Sequence, residues 1–182
     1  MEEKKVKRIN LLRLSLRKEL KDDDHAVLSW GVRDGYPRIH VYTSKNIKKE
    51  DGTIDYGKLI IAPFTYPLVC VLIDSLGKAL LDDDNFSIKC YNNKFVDNKR
   101  TDEIEEQAEV KVVRSQEGVL HIGVKKNGSC YYFPLFPDLK WHKFYDKDGK
   151  EITDKRKLSN MMVRAYVNLL KGAFINTITD IE

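Results

Sequence analysis

Apolar and polar positions alternate from the start of the chain. Over residues 10–17, Leu12, Leu14 and Leu16 interleave with Arg13, Ser15 and Arg17, a period of two that predicts a half-buried strand with arginines on its wet side. Two more extended runs, 26–33 and 36–43, are joined by Asp34-Gly35. That dipeptide tolerates the positive φ angles of a two-residue type I′ turn, so the runs predict a tight hairpin. A turn at Asp51-Gly52 leads into a short strand over 56–62, which closes the first sheet.

Thr65 followed by Pro67 marks a helix start, with threonine as the cap and proline in the first turn. Leu68, Val69, Leu72, Ile73, Leu76 and Leu80 recur at spacings of three and four, as on a buried helix. Asp82, Asp83 and Asp84 then break the pattern. Strands follow over 86–91, 109–115, 119–125 and 130–136, with Asn127-Gly128 as a second hairpin turn. A further strand over 141–145 puts Trp141, Lys143 and Tyr145 on one side, with Trp141 read as packing. After a turn at Asp148-Gly149, Thr153 or Asp154 caps a last helix carrying Leu158, Met162, Ala165, Leu169 and Ala173 on one stripe. The expected fold is α+β: antiparallel sheets with two helices, an approximate tandem repeat of four strands plus a helix. One domain over 1–182 contains two pseudo-halves, 1–81 and 82–182, and each tight turn lies about 30 residues before its helix.

The residues flanking a two-residue turn face each other. The first hairpin therefore pairs Arg33 with Tyr36, Gly31 with Arg38, Ser29 with His40 and Val27 with Tyr42. The opposite face, with Leu28, Trp30, Val32, Pro37, Ile39 and Val41, is core-like, so the first set points outward. Arg33, Tyr36, Arg38, His40 and Tyr42 interleave cations with rings, a combination that tracks a phosphate backbone while stacking unpaired bases. Gly31 opposite Arg38 leaves room for a base or ribose. Ordinary cross-strand Tyr/Arg pairing on a solvated sheet is the alternative. The second hairpin repeats the theme with Lys125 opposite Cys130, Gly123 opposite Tyr132 and His121 opposite Pro134, over a core face of Leu120, Ile122, Val124, Tyr131, Phe133 and Leu135.

Charge sharpens this picture through its position. The net charge is +4 over 182 residues, but residues 1–21 carry eight bases against three acids, whereas 82–109 carry nine acids against four bases. The basic start reads as a phosphate-contacting arm, or else as a solubilising tail. Three cysteines (Cys70, Cys90, Cys130) without a CxxC pair suggest neither disulfides nor a zinc ribbon, and they read as small buried hydrophobes in a reducing cytoplasm. The sequence shows no signal peptide and no apolar run of membrane-spanning length, so no membrane role is expected.

Catalytic and metal chemistry find little support. The four histidines lack zinc-ligand spacing, the Asp22–24 and Asp82–84 triplets read as turns and caps, and Asp146-Lys147-Asp148-Gly149 lacks the distal ligands of a calcium loop. No GxSxG, P-loop or GxGxxG motif occurs. A non-enzymatic protein without cofactors is expected.

The run from His25 to Thr43, His-Ala-Val-Leu-Ser-Trp-Gly-Val-Arg-Asp-Gly-Tyr-Pro-Arg-Ile-His-Val-Tyr-Thr, resembles early proteins of lytic bacteriophages, in particular the single-stranded DNA-binding RNA polymerase cofactors (Drc type) of short-tailed phages. That resemblance implies binding to locally melted promoter DNA and recruitment of a phage-encoded RNA polymerase, in the host cell cytoplasm. The tandem order of elements also resembles the Whirly-type single-stranded DNA binders, in layout alone. The expected partner is single-stranded DNA, or RNA, and an oligomer is compatible with this layout. The expected contacts are Arg13, Arg17, Arg33, Arg38 and Lys125 with phosphates and Tyr36, Tyr42 and Tyr132 with bases, His40 lying among them. The competing reading is a protein-interaction adaptor that docks through the acidic segment 97–109 or the final helix.

Overall fold

A computed structural model describes residues 14–21, 24–44, 50–52, 55, 59–83, 85–96 and 99–179, without the side chains of residues 95 and 175–179. The basic start of the chain, Arg13 included, lies outside the described residues. Among the described residues, eight strands and two helices follow in the order β1 (Leu16–Glu19), β2 (His25–Arg33), β3 (Tyr36–Thr43), β4 (Ile60–Pro63), α1 (Tyr66–Lys78), β5 (Phe86–Val96), β6 (Lys99–Arg114), β7 (Leu120–Lys126), β8 (Ser129–Pro134) and α2 (Lys155–Thr179). The strands form two antiparallel sheets, β1-β2-β3-β4 and β5-β6-β7-β8. The four-strands-plus-helix unit thus occurs twice, as an α+β fold.

Both hairpins have the expected register. Arg33 stands opposite Tyr36 and Val27 opposite Tyr42; Lys125 stands opposite Cys130 and His121 opposite Pro134. At the turns, Asp34 and Gly35 have φ of 53° and 77°, and Asn127 and Gly128 have 47° and 82°, the left-handed pair that a type I′ turn demands.

The inward residues of both sheets join both helices in one buried cluster that includes Leu28, Trp30, Ile39, Val41, Leu72, Val110, Ile122, Phe133, Val163 and Leu170. Trp30 is its polar anchor. Its indole Nε1 donates to the Tyr166 hydroxyl of α2 at 2.7 Å, and that hydroxyl donates to the Leu14 carbonyl at 2.9 Å. Phe174 packs edge-on against the same indole, with centroids 5.3 Å apart. Burial pushes the Tyr166 hydroxyl's pKa up, so it remains a donor.

A second fastening closes the seam between the halves. Arg114, nearly buried, donates to the Ala79 carbonyl behind α1 and to the Gly118 carbonyl at 2.7 Å, and its Nε lies 3.0 Å from the Asp83 carboxylate. Asp83 also holds Arg156 of α2 at 2.9 Å, so this member of the aspartate triplet clamps two arginines rather than capping a turn. Gly118, at φ 84°, lies where a Cβ would come within 2.7 Å of Arg156 Cβ and 3.2 Å of its Cα; only glycine fits between that turn and α2.

Several expectations are corrected. The first strand spans Leu16–Glu19, and residues 10–13 of the expected strand lie outside the described residues. The fourth spans Ile60–Pro63, and residues 56–58 lie outside the described residues. Residues 99–109 of the acidic segment belong to β6, and β5 and β6 run on past the core as a long ribbon, with bulges at Cys90/Tyr91 and Asn93/Phe95. The region 141–145 forms no strand. It is a loop closed by one bridge between Tyr145 and Glu151, and Trp141, read as packing, is 72% exposed under the ammonium of Lys140. Thr65 occupies the α1 cap position without a side-chain cap hydrogen bond, whereas Asp154 caps α2 by accepting from the Lys157 N–H at 2.8 Å. The buried stripe of α2 holds Leu158, Val163, Tyr166, Val167, Leu170, Ala173 and Phe174. Ala165 and Leu169 face solvent, since the stripe with Tyr166 and Phe174 offers more apolar area to Trp30. Cys70 and Cys130 are exposed; Cys90 is buried.

Replacing Tyr166 with phenylalanine leaves the Trp30 N–H and the Leu14 carbonyl buried without partners. Urea denaturation should show Tyr166→Phe losing about 1–3 kcal/mol of stability per unsatisfied group at most, with single-strand binding by the remaining folded protein little changed.

Candidate nucleic-acid interface

The outward side of the first sheet carries the candidate residues as a continuous array. Arg33 and Tyr36 are exposed at the hairpin tip; Arg38, His40 and Tyr42 follow along β3, half-buried. Across β4, Pro63 stands opposite Arg38 and Ile61 opposite His40; across β1, Arg17 stands opposite Val27. The exposed Arg17 guanidinium lies 3.1 Å from His25 Nδ1 and 3.2 Å from Glu19. Six of the nine sequence-predicted contacts therefore share this surface: Arg17, Arg33, Tyr36, Arg38, His40 and Tyr42.

The space over Gly31 is not open, as its position opposite Arg38 had suggested. A Cβ there would come within 3.0 Å of His40 Cε1, so the imidazole lies across the glycine and fills the gap. His40's pKa is held below its ordinary value of 6.5, first by burial and then by the charges of Arg38 and Arg33. The ring is neutral at pH 7 and feels the charges of both guanidinium groups.

Arg38 shows what this surface lacks. Its side chain is only 22% exposed, yet its buried Nε has no hydrogen-bond partner. Its one anionic neighbour among the described residues is Asp34, 3.9 Å from Nη2, which also pairs with Arg33 at 3.6 Å. Both pairs are solvent-exposed on the carboxylate side and hold the arginines weakly. A buried donor without a partner is costly, and the exposed part of the Arg38 side chain remains open to an incoming anion.

The array also turns a corner that sequence reasoning missed. At the hairpin tip, Tyr36, Arg38 and Pro63 form one wall of a cleft of about 500 Å³ whose other wall is β5 and β6, with Lys89, Tyr91, Asn92 and Arg100. Phe64, Thr65 and Leu68 at the start of α1 complete it. The alternation of residues 86–91 marked β5 as a strand, but no local signal says that it comes to stand beside the other half's hairpin. Cys90 also borders the cleft, with its thiol pKa pushed up to about 11 by burial first and Glu106 second; it is protonated and not a nucleophile.

The second hairpin forms a separate surface, on the far side of its own sheet from the shared core. Tyr132 lies flat across Gly123, whose Cβ would fall 2.6 Å from its Cε1, so it offers less free ring than a stacking platform needs. Its hydroxyl pKa is raised, chiefly by a hydrogen bond with Cys130. Lys125 is exposed but stands opposite Glu109, a buried acid 3.2 Å from Lys111. His121 sits at the end of that strand, its Nδ1 3.0 Å from the Val119 carbonyl. Lys125, Tyr132 and His121 are neighbours, as their register predicts, but they do not join the first array. Among the described residues, no group of three or more His, Cys, Asp or Glu side chains could hold a metal ion, and no helix is long and apolar enough to cross a membrane.

Comparison with protein-family models, curated proteins and solved structures finds no significant match for this chain.

Burial also holds His121 below its ordinary 6.5, against a raising hydrogen bond from Val119 and with a further lowering by Lys18. Both histidines therefore take up protons more readily once the chain unfolds. The stability they allow is present above pH 6.5 and is lost as the pH falls through the lowered folded values. Chemical denaturation between pH 7 and 5 should show stability falling, and the double variant His40→Gln, His121→Gln should fall less steeply over that window.

Proposed function

We propose that this protein binds single-stranded nucleic acid, DNA in the first instance, across the outward side of the first sheet, without catalysis. The observation that carries the reading is the Arg33–Tyr36–Arg38–His40–Tyr42 array, with guanidinium groups and rings interleaved on one side of the hairpin and a buried Arg38 donor that has no hydrogen-bond partner among the described residues. Cations neutralise phosphates, while rings accept the faces of bases that a duplex would keep stacked. Arg17 on β1 extends the cationic track along the same side. The second hairpin is assigned no part in the main track, since Glu109 stands within its surface.

The resemblance of the first hairpin to phage RNA polymerase cofactors supports a role at melted promoter DNA in an infected host's cytoplasm, with a phage polymerase as protein partner. The second reading, an adaptor that binds a protein partner, is favoured by one specific feature. The β5–β6 ribbon projects past the core with Asp102, Glu103, Glu105 and Glu106 along it and Ile104 71% exposed. The two activities use different surfaces and are compatible.

Binding of a fluorescein-labelled dT oligomer should weaken steeply with salt, with a slope of log K against log salt of about −2 for three phosphate contacts. Arg38→Ala and Tyr42→Ala should each weaken it about tenfold or more, with unchanged thermal unfolding, while duplex of the same length binds less tightly. Salt-insensitive or absent binding leaves the adaptor reading in its place.

A further inference from the structure

The cleft at the hairpin tip has features that a flat sheet surface does not need. Exposed rings come from both walls, Tyr36 at 55% and Tyr91 at 54%, on chain segments from different halves of the fold. Cations also come from both walls: Arg38, whose buried Nε lacks a partner, and Arg100 and Lys89. Lys89 is engaged by Glu106 at 3.1 Å, which leaves the two arginines for an incoming anion. The N-terminus of α1 opens beside them. Thr65 supplies no side-chain cap and no acid stands in the first turn, so the positive end of the helix is not neutralised locally.

Rings from two sides, arginines and a helix N-terminus around about 500 Å³ match a planar ring joined to a phosphate. The volume lies within the usual range for small organic ligands, roughly 300–1,000 Å³, and is too small to admit a base pair with its stacked neighbours. The cleft is also continuous with the array, because Tyr36 and Arg38 belong to both. Resting on the reading of that array as a single-strand site, we propose that the cleft takes one unpaired nucleotide of the bound strand. Its base lies against Tyr36 and Tyr91, and its phosphate lies among Arg38, Arg100 and the start of α1. Asp34, weakly held at the mouth, releases Arg38 as the phosphate arrives. The strand thus leaves the sheet at the hairpin tip by turning a base inward, which fixes its path and end point.

The test uses variants that leave the first sheet untouched. Tyr91 is exposed on β5, so Tyr91→Ala and Tyr91→Phe should unfold at the wild-type temperature. In anisotropy titrations with a labelled dT oligomer, Tyr91→Ala should weaken binding about tenfold, Arg100→Ala should also weaken it, and Tyr91→Phe should stay within about twofold of wild type. Thymidine monophosphate should compete only at concentrations far above those of the oligomer. Unchanged affinity in Tyr91→Ala alongside weakened binding in Tyr42→Ala overturns the cleft and leaves the sheet reading standing, as does an equal loss in Tyr91→Phe and Tyr91→Ala. Displacement of the oligomer by monophosphate at matching concentration makes the cleft a free-nucleotide site and overturns the strand-turning form. If the wild type binds no single strand at all, both readings fall together.

Discussion

The hydrogen bond from the Trp30 indole to the Tyr166 hydroxyl decides how this molecule presents its surface. A side-chain period of two allows the first hairpin only two orientations, and burying Trp30 under α2 selects one of them. Once the indole is fixed by Tyr166, flanked by Phe174 and tied through the same hydroxyl to Leu14, Leu28, Ile39 and Val41 must also face inward. Arg33, Tyr36, Arg38, His40 and Tyr42 must then face out. A one-residue slip would exchange the sets, burying two guanidinium groups and exposing the core. The cost of burying unpaired charge makes that alternative inaccessible.

The cationic side is assembled with little internal compensation. Only Glu19 and Asp34 among the described acids contact its arginines, and both do so from solvent-exposed positions. His40 stays neutral under the charges of Arg33 and Arg38, which avoids a third positive charge in the free protein. A bound phosphate would relieve the repulsion and raise the imidazole's affinity for a proton. Acidic residues gather instead on the β5–β6 ribbon, where Lys89–Glu106 and Lys94–Glu103 cross-strand pairs run along it. The two halves share one layout, but their charges differ: one sheet is basic and ring-bearing, while the other has a buried glutamate on its corresponding side.

Much of this was legible in the residues. Asp34-Gly35 and Asn127-Gly128 specified two turns and hence two complete registers, since a type I′ loop leaves one way to pair the flanking strands. The α1 stripe of Val69, Leu72, Ile73 and Leu76 is continuous and unopposed, so its buried side was plain. Legibility failed where a tertiary partner chose between near-equal local options. α2 has apolar residues on two adjacent stripes, and only contact with Trp30 favours the one bearing Tyr166 and Phe174. Trp141 looked like core because tryptophan usually is, yet its segment forms a loop that leaves the ring 72% exposed beneath the Lys140 ammonium. The cleft was hidden for the same reason: Tyr36 and Tyr91 lie 55 residues apart in sequence, and it is the packing of β4 beside β5 and β6 that brings their segments together.

The claim that the first sheet's outward side is the binding surface can be tested residue by residue with amide and aromatic NMR shifts during titration with a short dT oligomer. The largest changes should fall on Arg33, Tyr36, Arg38, His40 and Tyr42, extend around the tip to Tyr91, and spare Lys125 and Tyr132. Shifts centred instead on the β5–β6 ribbon or the second hairpin, with β2 and β3 unmoved, would contradict it.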